Sequence, residues 1–398
     1  MAVGLQYKNK RMRFQKVVYL SYLPLRRKIY QDLYIAELQK EGIGVEYWDL
    51  TDIYWKDSRG KYDIFDDVCV CEIKSFAELE QKIKNRKEIS ILYIPLVSYT
   101  YNVLKLYKLL THYKCSIGRF ARGMIPAPEG GTVVWKQLKK ITLKKVRNYF
   151  LNYLAVKAKC KRKINTCDYM FLAGSKGYKT LGLASNIDLN FSQIIDINTV
   201  DYDTYVEKRS SSPLIDQRYA VFLDEYLPFH PDFEMLNMPT LKEDEYYPQL
   251  NTFFDRIEKK YNLKVVIAAH PKAKLYHVKN PYGERQVIFN ETCNLVVNAD
   301  FVMAHNSTAI EYAVMANKAV LFLHSQELIN KMPVYDSLIQ LYARELAQSL
   351  IKFDCEEDIN FLDIDKEKYK IFLYNYLTSE TSKDKLTRDI FLSFLKQE

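Results

Sequence analysis

The chain has 398 residues, too many for one small core and enough for two domains of ordinary size. With 48% hydrophobic and 14% aromatic residues, the composition excludes a disordered chain and points to a packed globular protein. The formal charge is +9, there are seven cysteines, and no apolar run approaches the roughly 18 residues of a membrane span.

The opening MAVGLQYKNKRMRF has no apolar core of the signal-peptide type, so a cytoplasmic protein is expected. Cys69 and Cys71 form a CxC that alternates across a strand and lacks zinc-knuckle spacing, and no HExxH is present. Reduced thiols, no structural metal and no cofactor are the expectation.

From the N-terminus, KVVYLSY (Lys16 to Tyr22) reads as an apolar strand, LRRKIYQDLYIAELQKEG as one helix closed by Gly42, and VEYWDL as a second strand. ISILYIP and YNVLKLYKLLTHY continue the alternation of strand and helix. Between Glu129 and Asp168 no acidic residue occurs, while Lys136 to Lys163 carries eleven Lys or Arg. This stretch predicts a basic amphipathic helix with Leu138, Ile141, Val146, Tyr149, Phe150, Tyr153 and Leu154 near helical spacing. Three readings fit it: a solvated basic face, nucleic-acid binding, or rest on an anionic membrane through Lys139, Lys140, Lys144, Lys145 and Arg147. No RNA-binding signature or zinc finger supports nucleic acid, so none is expected as a partner.

CDYMFLAGS resumes the pattern, and the polar stretch Val206 to Arg218 suits a linker. The pattern restarts with YAVFLDEYLP, a helix around Tyr246 to Tyr261, LKVVIAAHP, DFVMAHNS, a helix from about Ala309, and KAVLFLH. The expected fold is α/β, two Rossmann-like doubly wound domains facing each other across a cleft. The expected domains are 1–207, 215–345, and a helical segment 346–398 packing back on the first.

In open α/β sheets ligands bind beyond the carboxyl ends of strands. In the second domain those positions are Asp224 and Glu225, then His270, Pro271 and Lys272, then His305, Asn306, Ser307 and Thr308. A helix starting after Ser307 and Thr308 would offer backbone N–H groups to an anion. Thr308 and Glu311 also fit a capping box, which would spend both on the helix start. Proline after His270 fixes the turn and aims the imidazole, whereas His305 and His324 read as structural.

AAHPKAK, followed by HNSTAIEYAVMANKAVLFL, resembles the HP and S/T motifs of bacterial GT-B glycosyltransferases that build surface polysaccharides of capsule and lipopolysaccharide, the polysialyltransferase and Kdo-transferase type. Polyglycerolphosphate transferases of wall teichoic acid are similar in this half. The resemblance is sharpest over residues 215–325. It implies a metal-independent transferase that moves a CMP-activated acidic sugar to a lipid-linked or oligosaccharide acceptor; with the basic segment, the expected place of work is cytoplasmic or peripheral on the inner face of the cytoplasmic membrane. His270 would meet the leaving phosphate, with Pro271, Lys272, Asn306, Ser307, Thr308 and Glu311 around the donor. A carboxylate of an acidic-Gly motif would be the general base. Here that motif is APEGGTV with Glu129 alone, and Asp224 or Glu225 is the rival. The alternatives are a CDP-glycerol or CDP-ribitol phosphotransferase, a catalytically inactive GT-B scaffold, and a nucleotide-sugar epimerase of the same fold.

Overall fold

The structure is a computed structural model and describes residues 12–55, 64–85, 90–127, 143–230, 233, 238–361 and 363–397. The chain divides into two compact units. The first comprises Met1–Met124, Lys136–Val200 and Thr378–Glu398, and the second Ile125–Trp135 and Asp201–Leu377.

The first unit holds a seven-stranded sheet. Its strands are β1 (Lys16–Ser21), β2 (Gly44–Asp49), β3 (Val70–Glu72), β4 (Ile91–Pro95), β5 (Ser116–Ala121), β6 (Tyr169–Ala173) and β7 (Gln193–Ile197). They run in the order β3-β2-β1-β4-β5-β6-β7, and every pairing is parallel. Central strands such as β1 are apolar at nearly every position because helices cover both faces. The two larger cores lie on opposite faces, with Tyr19, Tyr47 and Phe171 on one side and Trp48, Tyr93 and Tyr107 on the other, and a smaller cluster gathers around Met170 and Leu181. The C-terminal helix Thr387–Lys396 closes the first of these through Phe391, Phe394 and Leu395.

The single helix expected over 25–42 is two short ones, Arg27–Asp32 and Ile35–Lys40, broken at Tyr34, whose φ is 57°. At the break the Arg122 guanidinium donates to the Asp32 carbonyl and, at 2.9 Å, to the Tyr34 hydroxyl.

The second unit holds a six-stranded sheet in the order β10-β9-β8-β11-β12-β13. The strands are β8 (Tyr219–Leu223), β9 (Lys264–Ala269), β10 (Val287–Phe289), β11 (Val302–Ala304), β12 (Val320–His324) and β13 (Leu350–Lys352). All pairings are again parallel. From β8 the chain winds outward to β9 and β10; from β11 it winds the other way to β12 and β13. The neighbours β8 and β11 therefore flank the topological switch point, where crossovers diverge and leave a crevice beyond the strand ends. Phe222 packs there on Phe254, from the long helix Glu243–Tyr261.

The segment 206–218, expected as a linker, begins inside the helix Val200–Lys208 and lies in the second unit. The segment 346–398, expected to be helical, also supplies β13, and from Thr378 onward it belongs to the first unit.

Candidate nucleotide site at the switch point of the second sheet

Register places the site residues. Ala304 of β11 is level with Leu223 of β8, which is level with Ala268 of β9. Two residues further along the chain from each come Asn306, Glu225 and His270, just beyond the ends of three neighbouring strands. At about 4.8 Å per strand they span on the order of 10 Å.

Asp224 is buried, 4% exposed. Its Oδ1 accepts from the Tyr226 N–H at 3.1 Å, the Tyr276 hydroxyl at 3.1 Å and the Tyr282 hydroxyl at 2.7 Å, and its Oδ2 accepts from the His270 N–H at 3.3 Å. Loss of hydration raises its pKa, and those four donors pull the other way. The carboxylate thus ties the end of β8 to the turn after β9. Tyr247 extends the cluster through a 3.0 Å contact between its hydroxyl and that of Tyr276.

Glu225 points to the other neighbour. Its Oε1 accepts the Asn306 N–H at 2.6 Å, and Tyr335, from the helix Pro333–Leu346, donates its hydroxyl to Oε2. Dehydration pushes this carboxyl up to about 7. The two adjacent acids that sequence reasoning offered as rival bases are both engaged with neighbouring loops.

His270 is partly exposed at the end of β9. Its Nδ1 accepts the Lys272 N–H at 3.2 Å, so a neutral ring carries its proton on Nε2. Pro271 and Lys272 are exposed on the same turn. The His230 ring lies 4.9 Å from the His270 ring at 57°. Sequence reasoning missed His230, although a second His-Pro pair, His230 and Pro231, was the available signal.

After β11, Ser307 Oγ accepts the Ala309 N–H at 3.3 Å, and the Glu311 N–H donates to the Thr308 carbonyl at 3.1 Å. The helix that follows is Ile310–Met315, with no side-chain cap at its start. The Thr308 and Glu311 capping box is therefore not formed. At six residues the helix contributes little macrodipole, which leaves hydroxyls and loop N–H groups as the anion donors. Glu311 is buried, 3% exposed, whereas Thr308 is exposed. Asn306 Oδ1 is buried and meets no partner among the described residues, which costs about 1–3 kcal/mol unless solvent or a ligand supplies one.

His305 is structural. Its Nδ1–H donates to the Leu323 carbonyl at 2.7 Å, the Tyr246 hydroxyl donates to Nε2 at 2.9 Å, and burial lowers its pKa to about 4. His324 Nδ1 lies 3.0 Å from Asp336.

Glu129, Lys139 and Lys140 lie outside the described residues. Lys144 and Lys145 stand in the first turn of the helix Leu143–Cys160, which also carries Arg147.

Compared with family models and with curated proteins, the sequence matches none. Among solved structures, the wall teichoic acid polymerase TagF superposes with a TM-score of 0.52 at 14% identity, over 96% of this chain and 89% of that one. The UDP-GlcNAc 2-epimerase of Methanocaldococcus jannaschii gives 0.44 at 12% identity, over 95% and 98% of the two chains. That of Neisseria meningitidis, bound to UDP-GlcNAc, also gives 0.44 at 12%, over 96% and 99%. At such identities the likeness is one of fold. The chain is an α/β protein of the GT-B type, built from two Rossmann-like parallel sheets.

Proposed function

We propose that this chain is a glycosyltransferase that binds a nucleotide-activated sugar at the switch point of its second sheet, with a CMP-linked acidic sugar as donor. The observation that carries the reading is the alignment of His270, Glu225 and Asn306 on three adjacent strand ends, with Ser307 and Thr308 immediately beyond. In transfer, the acceptor hydroxyl attacks the anomeric carbon, the bond from that carbon to the nucleotide phosphate oxygen breaks, and negative charge collects on phosphate. His270 Nε2–H and the Ser307 and Thr308 hydroxyls are donors of the kind that stabilise such charge without reorganising.

The base must take the acceptor proton. Asp224 and Glu225 each hold neighbouring N–H and hydroxyl groups with both oxygens, which argues for positioning rather than proton abstraction. Glu129, the carboxylate beside Gly130, is the base in this proposal.

The test is a thermal-shift panel of CMP, CDP, UMP and UDP, followed by product analysis with a CMP-sugar and with CDP-glycerol. Stabilisation by CMP and a glycoside product support the reading. A glycerol-phosphate product replaces it with phosphoryl transfer, and no response to any nucleotide rejects both.

A further inference from the structure

Among the described residues, the helix Leu143–Cys160 is anchored to the first unit through one face. The Tyr99 hydroxyl donates to the Ala155 carbonyl at 2.8 Å, Asn152 Oδ1 accepts the Tyr101 N–H at 2.9 Å, and Lys159 forms a buried 2.6 Å ion pair with Asp188. Ala155 is fully buried between these anchors.

The opposite face carries Val146, Tyr149, Phe150, Tyr153 and Leu154, spaced i, i+3, i+4, i+7 and i+8, which is one stripe of a helix. An interior stripe with this spacing would be covered. Here Tyr149 is 78% exposed and Phe150 56%, and the other three are exposed as well. Exposed cations accompany the stripe: Arg147 beside it, Lys157 one turn beyond Tyr153, and Lys161 and Lys163 past the helix end. No acidic residue interrupts the sequence from Pro128's neighbour Glu129 to Asp168.

We propose that this face is a docking surface for an anionic lipid leaflet, with the aromatic and aliphatic side chains entering the headgroup boundary and the cations meeting lipid phosphates. Charge selects this occupant. A second copy would bring the same cations against themselves, and a nucleic acid gives Val146 and Leu154 nothing to bury against. Among the described residues no helix is long and apolar enough to cross a membrane, so the helix lies along the surface. The inference concerns the first unit and stands whether or not the nucleotide reading does.

The experiment is co-sedimentation of the full chain with phosphatidylcholine vesicles, with and without phosphatidylglycerol, at low and high salt. One variant combines Arg147→Gln, Lys157→Gln, Lys161→Gln and Lys163→Gln; another combines Tyr149→Ser, Phe150→Ser and Tyr153→Ser. The native chain is expected to bind only the anionic vesicles and to release as salt rises, since screening acts over about 8 Å at physiological ionic strength. Each variant is expected to lose about tenfold or more in partitioning. All substituted side chains are exposed, and circular dichroism checks the fold; if the aromatic variant unfolds, the cation variant carries the test. Native chain that stays in the supernatant, or that sediments equally with both vesicle types, overturns the proposal. So does a native dimer that the aromatic variant converts to monomer, because the occupant is then a second copy.

Discussion

Glu225 accepts the backbone N–H of Asn306 at 2.6 Å across the switch point, so the carboxyl at the end of β8 pins the first residue of the S/T turn after β11. Because burial raises Glu225 from 4.5 to about 7, its ionisation opposes folding. The stability this group provides is complete below its ordinary pKa near 4.5 and is lost as pH rises through about 7. Glu225→Gln keeps an oxygen for Asn306 and turns its NH₂ to the Tyr335 hydroxyl, which can rotate and accept. The variant is expected to fold and to be less sensitive to pH between 5 and 8, by on the order of 2 to 3 kcal/mol. Urea melts of both proteins at the two pH values check this; parallel losses would remove Glu225 from the account.

His305 has the opposite sign. Its folded pKa, about 4, lies below its ordinary 6.5, so its stability is present above pH 6.5 and is lost as pH falls towards 4. His305→Phe cannot titrate, but it leaves the Leu323 carbonyl and the Tyr246 hydroxyl without their partner. The expected outcome is a protein about 1 to 3 kcal/mol less stable at pH 7.5 and with a shallower decline between pH 6.5 and 4. An unchanged acid slope would mean that another group governs it.

Ser307 and Thr308 are tested together. Neither hydroxyl caps the short helix Ile310–Met315, so Ser307→Ala with Thr308→Ala removes only the local Ser307 bond to Ala309 from the fold. Hydrogen bonds to a charged phosphate contribute about 1.5 to 3 kcal/mol each, and the double variant is expected to bind nucleotide at least about 100-fold more weakly. Calorimetric titration of the variant reads this directly. Native affinity in a folded variant would place the phosphate elsewhere.

The two-sheet architecture was legible because β1, β4, β6, β8, β9, β11 and β12 each lie in a short apolar run of the kind a strand buried on both faces carries, and because these runs alternate with helical patterns. The edge strands β3, β10 and β13 are three residues long, and unlike the equally short β11 none of them stands out in the sequence. β5 was hidden for another reason. Its Gly118 is needed where a Cβ would meet Leu92 and Phe171 at 3.2 Å, and its Arg119 is buried while donating to the Val97 carbonyl, so the strand does not read as apolar. At the site, strand ends located Asp224, Glu225, His270 and Asn306. Tyr246, Tyr276, Tyr282 and Tyr335 lie between 52 and 110 residues from the acids or histidine they serve, and a chain with 32 tyrosines gives no reason to single them out.

Asp224 differs from Glu225 in one respect that a conservative substitution exposes. Its two oxygens each accept a backbone N–H, from Tyr226 on Oδ1 and from His270 on Oδ2. An asparagine has one oxygen, so whichever way its amide lies, one backbone N–H faces an NH₂ that cannot accept. The hydroxyls of Tyr276 and Tyr282 can rotate to adapt; the peptide N–H cannot. Asp224→Asn is therefore expected to cost about 1 to 3 kcal/mol of stability, where Glu225→Gln does not. If the amide oxygen stays with Tyr226, the released N–H is that of His270, and the His-Pro turn loosens. Turnover is then expected to fall about tenfold in Asp224→Asn and about 100-fold or more in His270→Ala, which would remove the proposed donor to the leaving phosphate. The double variant separates a positioning residue from an independent one: with His270 gone, Asp224→Asn should lower turnover no further. Multiplicative losses in the double variant would show that Asp224 acts on the reaction by a route other than His270.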